Sequence, residues 1–499
     1  MIPVKDERLH LGAILEQDLS EESDFDASSH IVSSSAAMAE KPIESASYLS
    51  GFMSTLAQPF HWVQSGLSTV KRAVELYRRS DLTLGRITEL LRDTKVTDYQ
   101  TALSLAQDYS RFKGEKKSCA MTHDQKMDEQ EKRALDLYNR RGKLSPVEEV
   151  EFKELLQVLH QKQVGARAAL YRDASQLIEL IKLPPSATRH EIQAAATELL
   201  LELRGRPLTI EDYSVIELAV SKILLKAMDA KAEGPQVVSF LAATYQEHNR
   251  LKPLCETFTG EDFFRVKVEQ LQFLFEGLEH FQWNLTFVED EPRGDSPRTI
   301  DVMREMMGTD PQLQQCRGQV FFLDYQEDLG EEIAMYQDKE TAQMDGDTFA
   351  RSSVKGGAIQ VGLRYLAQVQ DGKQYKTPRA DFILYTDCDT SVNLGNTGIL
   401  LNQIVNQGRD IAIGSRRIEG AHVIGKSAER HLQSFLFNTL VRVLLNVQVT
   451  DTQVGAKAFR PEAIRKVHQG FSERSMAFDP EIFRLASKEE LTVGEDGIV

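Results

Sequence analysis

Apolar and polar positions divide the chain into two parts with different periods. From about residue 51 to 230, apolar residues recur at the spacing of amphipathic helices, as in the run from Val215 to Leu225. Capping boxes predict helix starts at Ser145 and Thr188. Beyond Gly234, short apolar runs alternate with helical patterns, which is typical of a parallel sheet with crossover helices. The pattern therefore predicts an α/β domain with a mostly parallel sheet, preceded by an all-α module.

Short apolar runs bounded by polar residues mark the individual strands of the predicted sheet. They lie at 237–243, 284–288, 320–323, 382–386 and 411–414, and a further run begins at 491. Helices are predicted between them at 263–281, 302–307 and 355–366. The stretch 324–351 is acidic and weakly patterned, and it is too long for an ordinary connection. It therefore predicts a functional flap or an insertion.

These patterns predict three segments, in agreement with a length of 499 residues, which exceeds one ordinary core. Residues 1–50 are acidic and rich in Ser, and this composition predicts a disordered tail. Residues 51–232 form the helical module, for which binding of a protein partner is the expected role. Residues 233–499 form the α/β domain. Because a strand pattern continues into the last residues, a chain shortened at its C-terminus is one expectation.

Charge and cysteine usage narrow the class of protein. The net charge of −16 argues against nonspecific nucleic-acid binding, which needs a basic footprint. No apolar stretch reaches the roughly 18 residues that a spanning helix needs, and the first thirty residues lack the apolar core of a signal peptide. The cysteines show neither disulfide nor metal-ligand spacing, which suits a reducing compartment; they are Cys119, Cys255, Cys316 and Cys388. A soluble, cytoplasmic protein without a transmembrane anchor is expected.

Two carboxylates follow the predicted strand 382–386. Asp387 and Asp389 are separated by one residue, and in extended backbone residues two apart point the same way. Open α/β sheets bind ligands at the carboxyl ends of their strands. Hard divalent cations such as Mg²⁺ or Mn²⁺ are held there by one or two carboxylates together with substrate phosphates. The same motif also occurs in ordinary acidic loops, so by itself it leaves both interpretations open.

Other polar groups also lie at predicted strand ends. The acidic run 289–291 follows the strand 284–288, and Arg416 and Arg417 follow the strand 411–414. Lys355 and two glycines open a helix, where backbone N–H groups favour an anion. Each of these groups also fits a solvated turn or a surface charge. Their order along the chain favours a nucleotide and metal site.

At this point the chain resembles a known family. Residues 237–485 are similar to glycosyltransferase family 2, which has the GT-A fold, and most closely to its dolichyl-phosphate glucosyltransferase and dolichol-phosphate mannosyltransferase branch. The resemblance is carried by Tyr245-Gln246-Glu247, Val288-Glu289-Asp290, Lys355-Gly356-Gly357-Ala358, Asp387-Cys388-Asp389 and Ile413-Gly414-Ser415-Arg416. Its most specific part is Thr450-Asp451-Thr452-Gln453-Val454-Gly455-Ala456-Lys457-Ala458-Phe459-Arg460, followed by Ala477-Phe478-Asp479-Pro480-Glu481. Residues 1–230 have no counterpart in the family.

The resemblance implies a donor site at the strand ends. Tyr245, Glu247 and Asp290 would line the nucleoside pocket, with Asp290 facing the base. Asp387 and Asp389 would hold Mg²⁺ or Mn²⁺ on the donor pyrophosphate. The metal's main contribution would be to neutralise charge on the leaving nucleoside diphosphate.

The family pattern extends to neighbouring positions, with two departures. Lys355 would lie near the nucleotide, and Gln453 and Lys457 would belong to the wall around the sugar. The family usually has Asn where Gln246 stands and Asp where Glu289 stands.

The acceptor side is implied less completely. Arg416 and Arg430 match positions that meet an acceptor phosphate in the family. Asp479 stands where the family keeps an acid near the reacting sugar; it would deprotonate a hydroxyl acceptor, whereas an ionised phosphate needs no base. The segment 434–449 is apolar but interrupted by polar residues, which predicts a buried helix or an interfacial one that contacts a membrane peripherally. A lipid phosphate, a protein and a small molecule all remain open as acceptor.

The sequence therefore predicts a metal-dependent, inverting transfer of a hexose from a UDP- or GDP-linked sugar. Two alternatives remain: an inactive sugar-nucleotide-binding interaction protein, and a sugar-phosphate nucleotidyltransferase. The absence of a Gly-rich segment near the first strand counts against the second alternative. The helical half and the acidic start also suit a hypothesis of secretion into a host cell as an effector.

Overall fold

The computed structural model describes residues 128–289, 297–324, 355–370, 372–418, 420–422, 449–471 and 478–499. Several predictions lie outside these residues. They concern the tail 1–50, residues 51–127 of the helical module, most of the acidic stretch 324–351, nearly all of the apolar segment 434–449, and the site residues Asp290 and Arg430.

Eleven α-helices occur within the described residues. They are α1 Glu129–Asn139, α2 Pro146–Leu180, α3 Arg189–Arg204, α4 Ile210–Asp229, α5 Phe263–Phe275, α6 Thr299–Thr309, α7 Pro311–Gln314, α8 Lys355–Leu366, α9 Thr397–Val405, α10 Pro461–Val467 and α11 Phe478–Lys488. The predicted capping boxes at Ser145 and Thr188 are both present and open α2 and α3. In the part of the chain that is described, every helix is too short or too polar to cross a bilayer.

Seven strands form one sheet in the order β3-β2-β1-β4-β6-β5-β7. The strands are β1 Gln236–Thr244, β2 Phe281–Glu289, β3 Val320–Asp324, β4 Phe382–Thr386, β5 Ile411–Ser415, β6 Ala456–Phe459 and β7 Val493–Gly497. β6 runs antiparallel to β4 and β5, and all other neighbours are parallel. The prediction of a mostly parallel α/β sheet is therefore confirmed.

Burial on both sides explains why the central strands are continuous apolar runs. All five residues of β4 are buried, as are all five of β5. Helix α8 packs on β1, β2 and β4, whereas α9 packs on β5, β6 and β7. A sheet covered in this way selects apolar residues at every position instead of alternation. The charged residues Asp387 and Arg416 directly follow β4 and β5.

Helices α2, α3 and α4, which precede the sheet, share its hydrophobic core. Helix α4 packs on α5 and α9, and α2 and α3 pack on α4. The side chain of Arg189 in α3 pairs with Asp496 of β7 at 2.9 Å, and both side chains are buried. Glu217 of α4 accepts a hydrogen bond from the amide of Val499 at 2.8 Å. The boundary at residues 232 and 233 stays a prediction.

One local prediction was wrong, and one strand was not predicted. The helix predicted for 263–281 ends at Phe275, because the chain must turn before it enters β2 at Phe281. The residues of β6 were assigned to a motif and not to a strand. β6 is four residues long and is stabilised by pairing with β4 and β5 on its two sides, which no local pattern reveals.

Candidate functional site

The polar residues predicted at strand ends lie along one edge of the sheet. β1, β2 and β4 are parallel neighbours, so their carboxyl ends meet there. β5 points the same way, because β6 is antiparallel to both β4 and β5. This edge carries Glu247 after β1, Asp387 and Asp389 after β4, and Arg416 after β5. It is the edge at which open α/β sheets bind ligands.

Asp387 is held by two side chains from different elements. The hydroxyl of Tyr385 in β4 donates to its Oδ1 atom at 2.8 Å, and the ammonium group of Lys355 in α8 forms an ion pair with the same oxygen. Burial opposes ionisation of this carboxyl, but Lys355 and Tyr385 outweigh it and lower the pKa of Asp387 to about 2. Asp387 is therefore an anion at neutral pH.

Gly455 forms the floor beneath Asp387. A Cβ atom at position 455 would lie 2.2 Å from Oδ2 of Asp387, so a larger residue would displace the carboxylate. The amide of Asp387 also donates to the carbonyl oxygen of Gly455 at 3.3 Å. Gly455 directly precedes β6, whose pairing with β4 brings the two residues together. The antiparallel strand thus fixes the position of the first carboxylate.

Asp389 belongs to an ion-pair cluster that we call the Arg250 cluster, formed by Glu247, Arg250, Glu261 and Asp389. The guanidinium group of Arg250 lies 2.8 Å from Asp389, 2.5 Å from Glu261 and 3.3 Å from Glu247. Glu261 also accepts hydrogen bonds from the amide and hydroxyl of Thr390, at 3.0 and 2.9 Å. Burial raises the pKa of Glu247, with Arg250 opposing the shift. One arginine therefore joins the loop after β1 to the turn after β4.

Lys457 and Asp479 form a buried ion pair near Tyr385. The Nζ atom of Lys457 lies 2.7 Å from Oδ1 of Asp479, and it also donates to the carbonyl oxygen of Val454 at 2.5 Å. Burial raises the pKa of Asp479 to about 6, although Lys457 favours the anion. Lys457 also lies 5.4 Å from the centre of the Tyr385 ring. β4, β6 and α11 thus contribute to one group of charges.

Arg416 is engaged by a protein carboxylate. Its Nε and Nη2 atoms donate to the two oxygens of Asp451 at 2.7 and 2.9 Å, which is a bidentate pair. Asp451 is fully buried and its amide donates to Glu495 at 3.1 Å. Burial lowers the pKa of Arg416, but Asp451 more than compensates and raises it overall. Any anion that meets Arg416 would share it with Asp451.

The structure brings most of the predicted site residues to one edge. Lys355 contacts Asp387, Lys457 contacts Asp479, and Glu247 connects to Asp389 through Arg250. The side chain of Tyr245 is 38% exposed at the end of β1, and Gln453 is half-buried beside Asp451. The positions of Asp290 and Arg430 lie outside the described residues, so their predicted roles stay predictions.

Glu289, at the start of the acidic run, serves the fold. It is buried, and it accepts the amides of Thr299 and Ile300 at 3.2 and 3.0 Å and the hydroxyl of Thr244 at 2.8 Å. These amides open helix α6, whose first N–H groups lack partners within the helix. The carboxylate of Glu289 therefore satisfies a helix start and joins it to β1.

Sequence reasoning missed four residues of this edge. Tyr385 carried a usable signal, because it precedes Asp387 by two positions and so shares its face. Lys267 was also detectable, as a lysine at an apolar position of α5; it is 1% exposed, its Nζ atom lies 3.4 Å from the hydroxyl of Thr386, and burial lowers its pKa. Arg250 and Glu261 gave no local signal of a role at this edge, because the contacts that join them to Asp389 and Thr390 span 139 and 129 residues.

The strand-end carboxylates fit a hard divalent cation by the chemistry of their donor set. Both carboxylates offer oxygen ligands, and both already contact a positively charged side chain. Lys355 contacts Asp387, and Arg250 contacts Asp389. Among the described residues, no group of three or more His, Cys, Asp or Glu side chains is arranged to hold a metal. A cation at this edge would therefore need further ligands from phosphate oxygens or water, as Mg²⁺ commonly does.

Two characterised proteins are similar to this chain in sequence. A dolichyl-phosphate beta-glucosyltransferase of Trichomonas vaginalis, ALG5D, is 23% identical over 269 residues, which are 53% of this chain and 65% of that protein. The glycosyltransferase AglD of Haloferax volcanii is 26% identical over 123 residues, which are 25% of this chain and 20% of that protein. The chain thus spans less than two thirds of either relative. No protein-family model matches it. The two relatives confirm the predicted resemblance to glycosyltransferases of family 2.

Among solved structures, two of glucosyl-3-phosphoglycerate synthase from Mycobacterium tuberculosis are similar. One, a complex with Mn²⁺, UDP and glucosyl-3-phosphoglycerate, has a TM-score of 0.30 and 11% identity over 64% of this chain and 76% of that chain. The other, a complex with UDP, has a TM-score of 0.31 and 12% identity over 59% and 76%.

Proposed function

We propose that this protein transfers a hexose from a nucleotide sugar to an acceptor, with a divalent cation and with inversion at the sugar. The observation that carries the proposal is the pair Asp387 and Asp389 at the carboxyl end of β4. Both carboxylates are ionic partners of protein cations at the sheet edge where ligands bind. The sequence similarity to glycosyltransferases supplies the reaction class.

Asp387 and Asp389 are the residues that would hold Mg²⁺ or Mn²⁺. When bound, the metal would neutralise the charge that develops on the leaving nucleoside diphosphate. Lys355 is placed to add positive charge on the same side, since its ammonium already contacts Asp387. Tyr245, Glu247 and Asp290 would line the nucleoside pocket, by analogy with the family. UDP and GDP both remain candidates for the nucleotide.

Asp479 is our candidate for the general base. The ion pair with Lys457 holds its carboxylate in place, and burial raises its pKa to about 6. A carboxylate with this pKa is ionised at neutral pH and accepts a proton more readily than an ordinary aspartate. A hydroxyl acceptor would use this base, whereas a phosphate acceptor would instead rely on Arg416 and Arg430. Gln453 and Lys457 would form the wall around the sugar.

The central experiment is a donor panel with Asp387→Asn and Asp389→Asn. UDP-glucose, UDP-N-acetylglucosamine and GDP-mannose are each supplied with Mg²⁺ or Mn²⁺, and release of the nucleoside diphosphate is measured. We expect one donor to be turned over and each variant to lose at least about 100-fold in kcat/KM, because the leaving diphosphate loses its charge balance. Asp301→Asn is the matched control, since Asp301 is an exposed partner of Arg304 in α6. A fully active Asp389→Asn enzyme would overturn the proposal.

The pH dependence of kcat, measured with the active donor, distinguishes a hydroxyl acceptor from a phosphate acceptor. With a hydroxyl acceptor, kcat should fall about tenfold per pH unit below pH 6, because protonated Asp479 cannot accept the proton. Asp479→Asn should abolish turnover with that acceptor. With a phosphate acceptor, no such limb is expected. A flat profile with a hydroxyl acceptor would exclude Asp479 as the base.

A further inference from the structure

The contact between Arg250 and Asp389 occupies a carboxylate oxygen that a metal ion would need as a ligand. Oδ1 of Asp389 accepts hydrogen bonds from the hydroxyl of Ser391 and from its amide, the latter at 3.0 Å. Oδ2 accepts a hydrogen bond from Nη2 of Arg250 at 2.8 Å. The two oxygens therefore have different partners, one a neutral serine and the other a cation. A metal that binds Asp389 through Oδ2 competes directly with the guanidinium group of Arg250.

Arg250 has two other carboxylate partners, which would keep its side chain in position if it released Asp389. Its Nε and Nη2 atoms both donate to Oε1 of Glu261, at 2.8 and 2.5 Å, and its Nη1 atom donates to Glu247 at 3.3 Å. The side chain is 25% exposed, and that of Asp389 is 22% exposed. Because water reaches this pair, breaking it leaves neither group buried without a partner. A bound cation can therefore replace Arg250 as the partner of Asp389.

Glu261 also binds the backbone of the turn after β4. Its second oxygen holds the amide and hydroxyl of Thr390, the residue after Asp389. The turn thus remains attached to the loop after β1 when the contact between Arg250 and Asp389 opens. Nearby Arg265 provides a comparison: it pairs with Asp262 at 2.7 Å and with Asp310 at 2.5 Å, and Asp389 is not among its partners.

We propose that Arg250 is a positioning residue that occupies Asp389 in place of the divalent cation and sets the affinity of the site for that cation. This inference rests on the proposed function, since it takes Asp389 as a metal ligand. Arg250 holds Asp389 in position before the donor complex binds. When the cation binds, Arg250 releases the oxygen atom of Asp389. The cation then restores the charge balance that Arg250 provided.

The test is a titration of Mn²⁺ into the whole protein, with free Mn²⁺ followed by its electron paramagnetic resonance signal. Removing the competing charge in Arg250→Gln should tighten Mn²⁺ binding without donor by about fivefold to tenfold, the range of a partly exposed ion pair. Arg250→Lys keeps the charge but lacks the planar, five-donor guanidinium group that contacts the three carboxylates, so its Mn²⁺ affinity should lie between those of the unaltered protein and Arg250→Gln. Arg265→Gln has the same change of charge and should leave Mn²⁺ affinity within about twofold of the unaltered protein.

Glu261→Gln gives an independent test with the opposite sign. It removes a carboxylate partner of Arg250, so Arg250 should hold Asp389 more strongly and Mn²⁺ should bind more weakly. A merely structural role for Arg250 predicts equal or weaker Mn²⁺ binding in Arg250→Gln, and that result would overturn the inference. If Arg250→Gln fails to fold, tighter Mn²⁺ binding in Glu261→Gln would overturn it.

Failure of the proposed function has a different signature. If the unaltered protein binds no Mn²⁺ even in the presence of UDP and GDP, the metal site itself is wrong, and the inference about Arg250 falls with it. If the unaltered protein binds Mn²⁺ and the variants show no change of affinity, the proposed function stands and only the role of Arg250 is excluded.

Discussion

Ion pairs serve different purposes at two places in this molecule. Between helix α3 and strand β7, Arg189 and Asp496 form a pair whose side chains are 8% and 9% exposed. At the strand ends, the side chains of Arg250 and Asp389 are 25% and 22% exposed. Breaking a buried pair leaves a charge without water or partner, whereas the charges of a partly exposed pair are hydrated again as the pair opens. The first kind fixes the architecture, and the second kind can be exchanged for a ligand.

The largest expected effect on stability comes from Arg189→Met. The variant leaves Asp496 buried with only Gln403 as a described side-chain partner, so we expect a loss of about 3–5 kcal/mol in the free energy of unfolding. Denaturant unfolding measures it. Arg304→Met is the control: Arg304 pairs with Asp301 at 2.7 Å, and the two side chains are 45% and 53% exposed, so the loss of stability should be below about 1 kcal/mol. Equal losses in the two variants would remove the distinction between buried and exposed pairs.

A second effect on stability depends on pH and concerns Glu217 of helix α4. Burial raises the pKa of Glu217 to about 8, so the folded state binds this proton more tightly than the unfolded chain does. The resulting stability is fully present below about pH 4.5 and is lost as the pH rises through 8. Gln cannot ionise and retains an acceptor for the amide of Val499. Between pH 5 and 9, the stability of Glu217→Gln relative to the unaltered protein should therefore rise by about 4 kcal/mol. Parallel stability curves would show that Glu217 does not titrate in this range.

Gly398 tests the close approach of helices α4 and α9. A Cβ atom there would lie 2.0 Å from the carbonyl oxygen of Ser221, a backbone atom that cannot move alone. We expect Gly398→Ala to lose about 1–3 kcal/mol, the range of overpacked cores. Gly308→Ala in α6 is the control with the opposite sign, because nothing lies within 4 Å of its Cβ position and Ala favours helices by about 1 kcal/mol. Thermal unfolding of both variants checks the contrast. A stable Gly398→Ala protein would mean that the helices can separate.

The smallest expected stability effect belongs to the Arg250 cluster. Arg250→Gln should reduce the free energy of unfolding by no more than about 1 kcal/mol, although it changes Mn²⁺ affinity severalfold. Denaturant unfolding under the conditions used for Arg189→Met gives the comparison. A loss as large as that of Arg189→Met would assign Arg250 to the architecture and not to ligand exchange.

The sequence by itself determined the parts of this protein that depend on neighbours along the chain. The apolar runs predicted the strands around Phe240, Leu285 and Leu384, and Ser145 and Thr188 predicted their helix starts. Burial on both faces of a sheet and the capping of free N–H groups impose residue types locally, so local patterns reveal them. The resemblance to glycosyltransferases likewise rested on short motifs at strand ends.

Only the tertiary structure decided which distant side chains meet. The strand β6 is too short to be recognised, yet its pairing places Gly455 under Asp387. Arg250 lies 139 residues before Asp389, and Arg189 lies 307 residues before Asp496, so neither pair leaves a periodic signal. Such contacts follow from the order of strands and the packing of helices, which are properties of the whole chain. The sequence therefore predicted two carboxylates at the end of a strand, and the fold determined which cations face them.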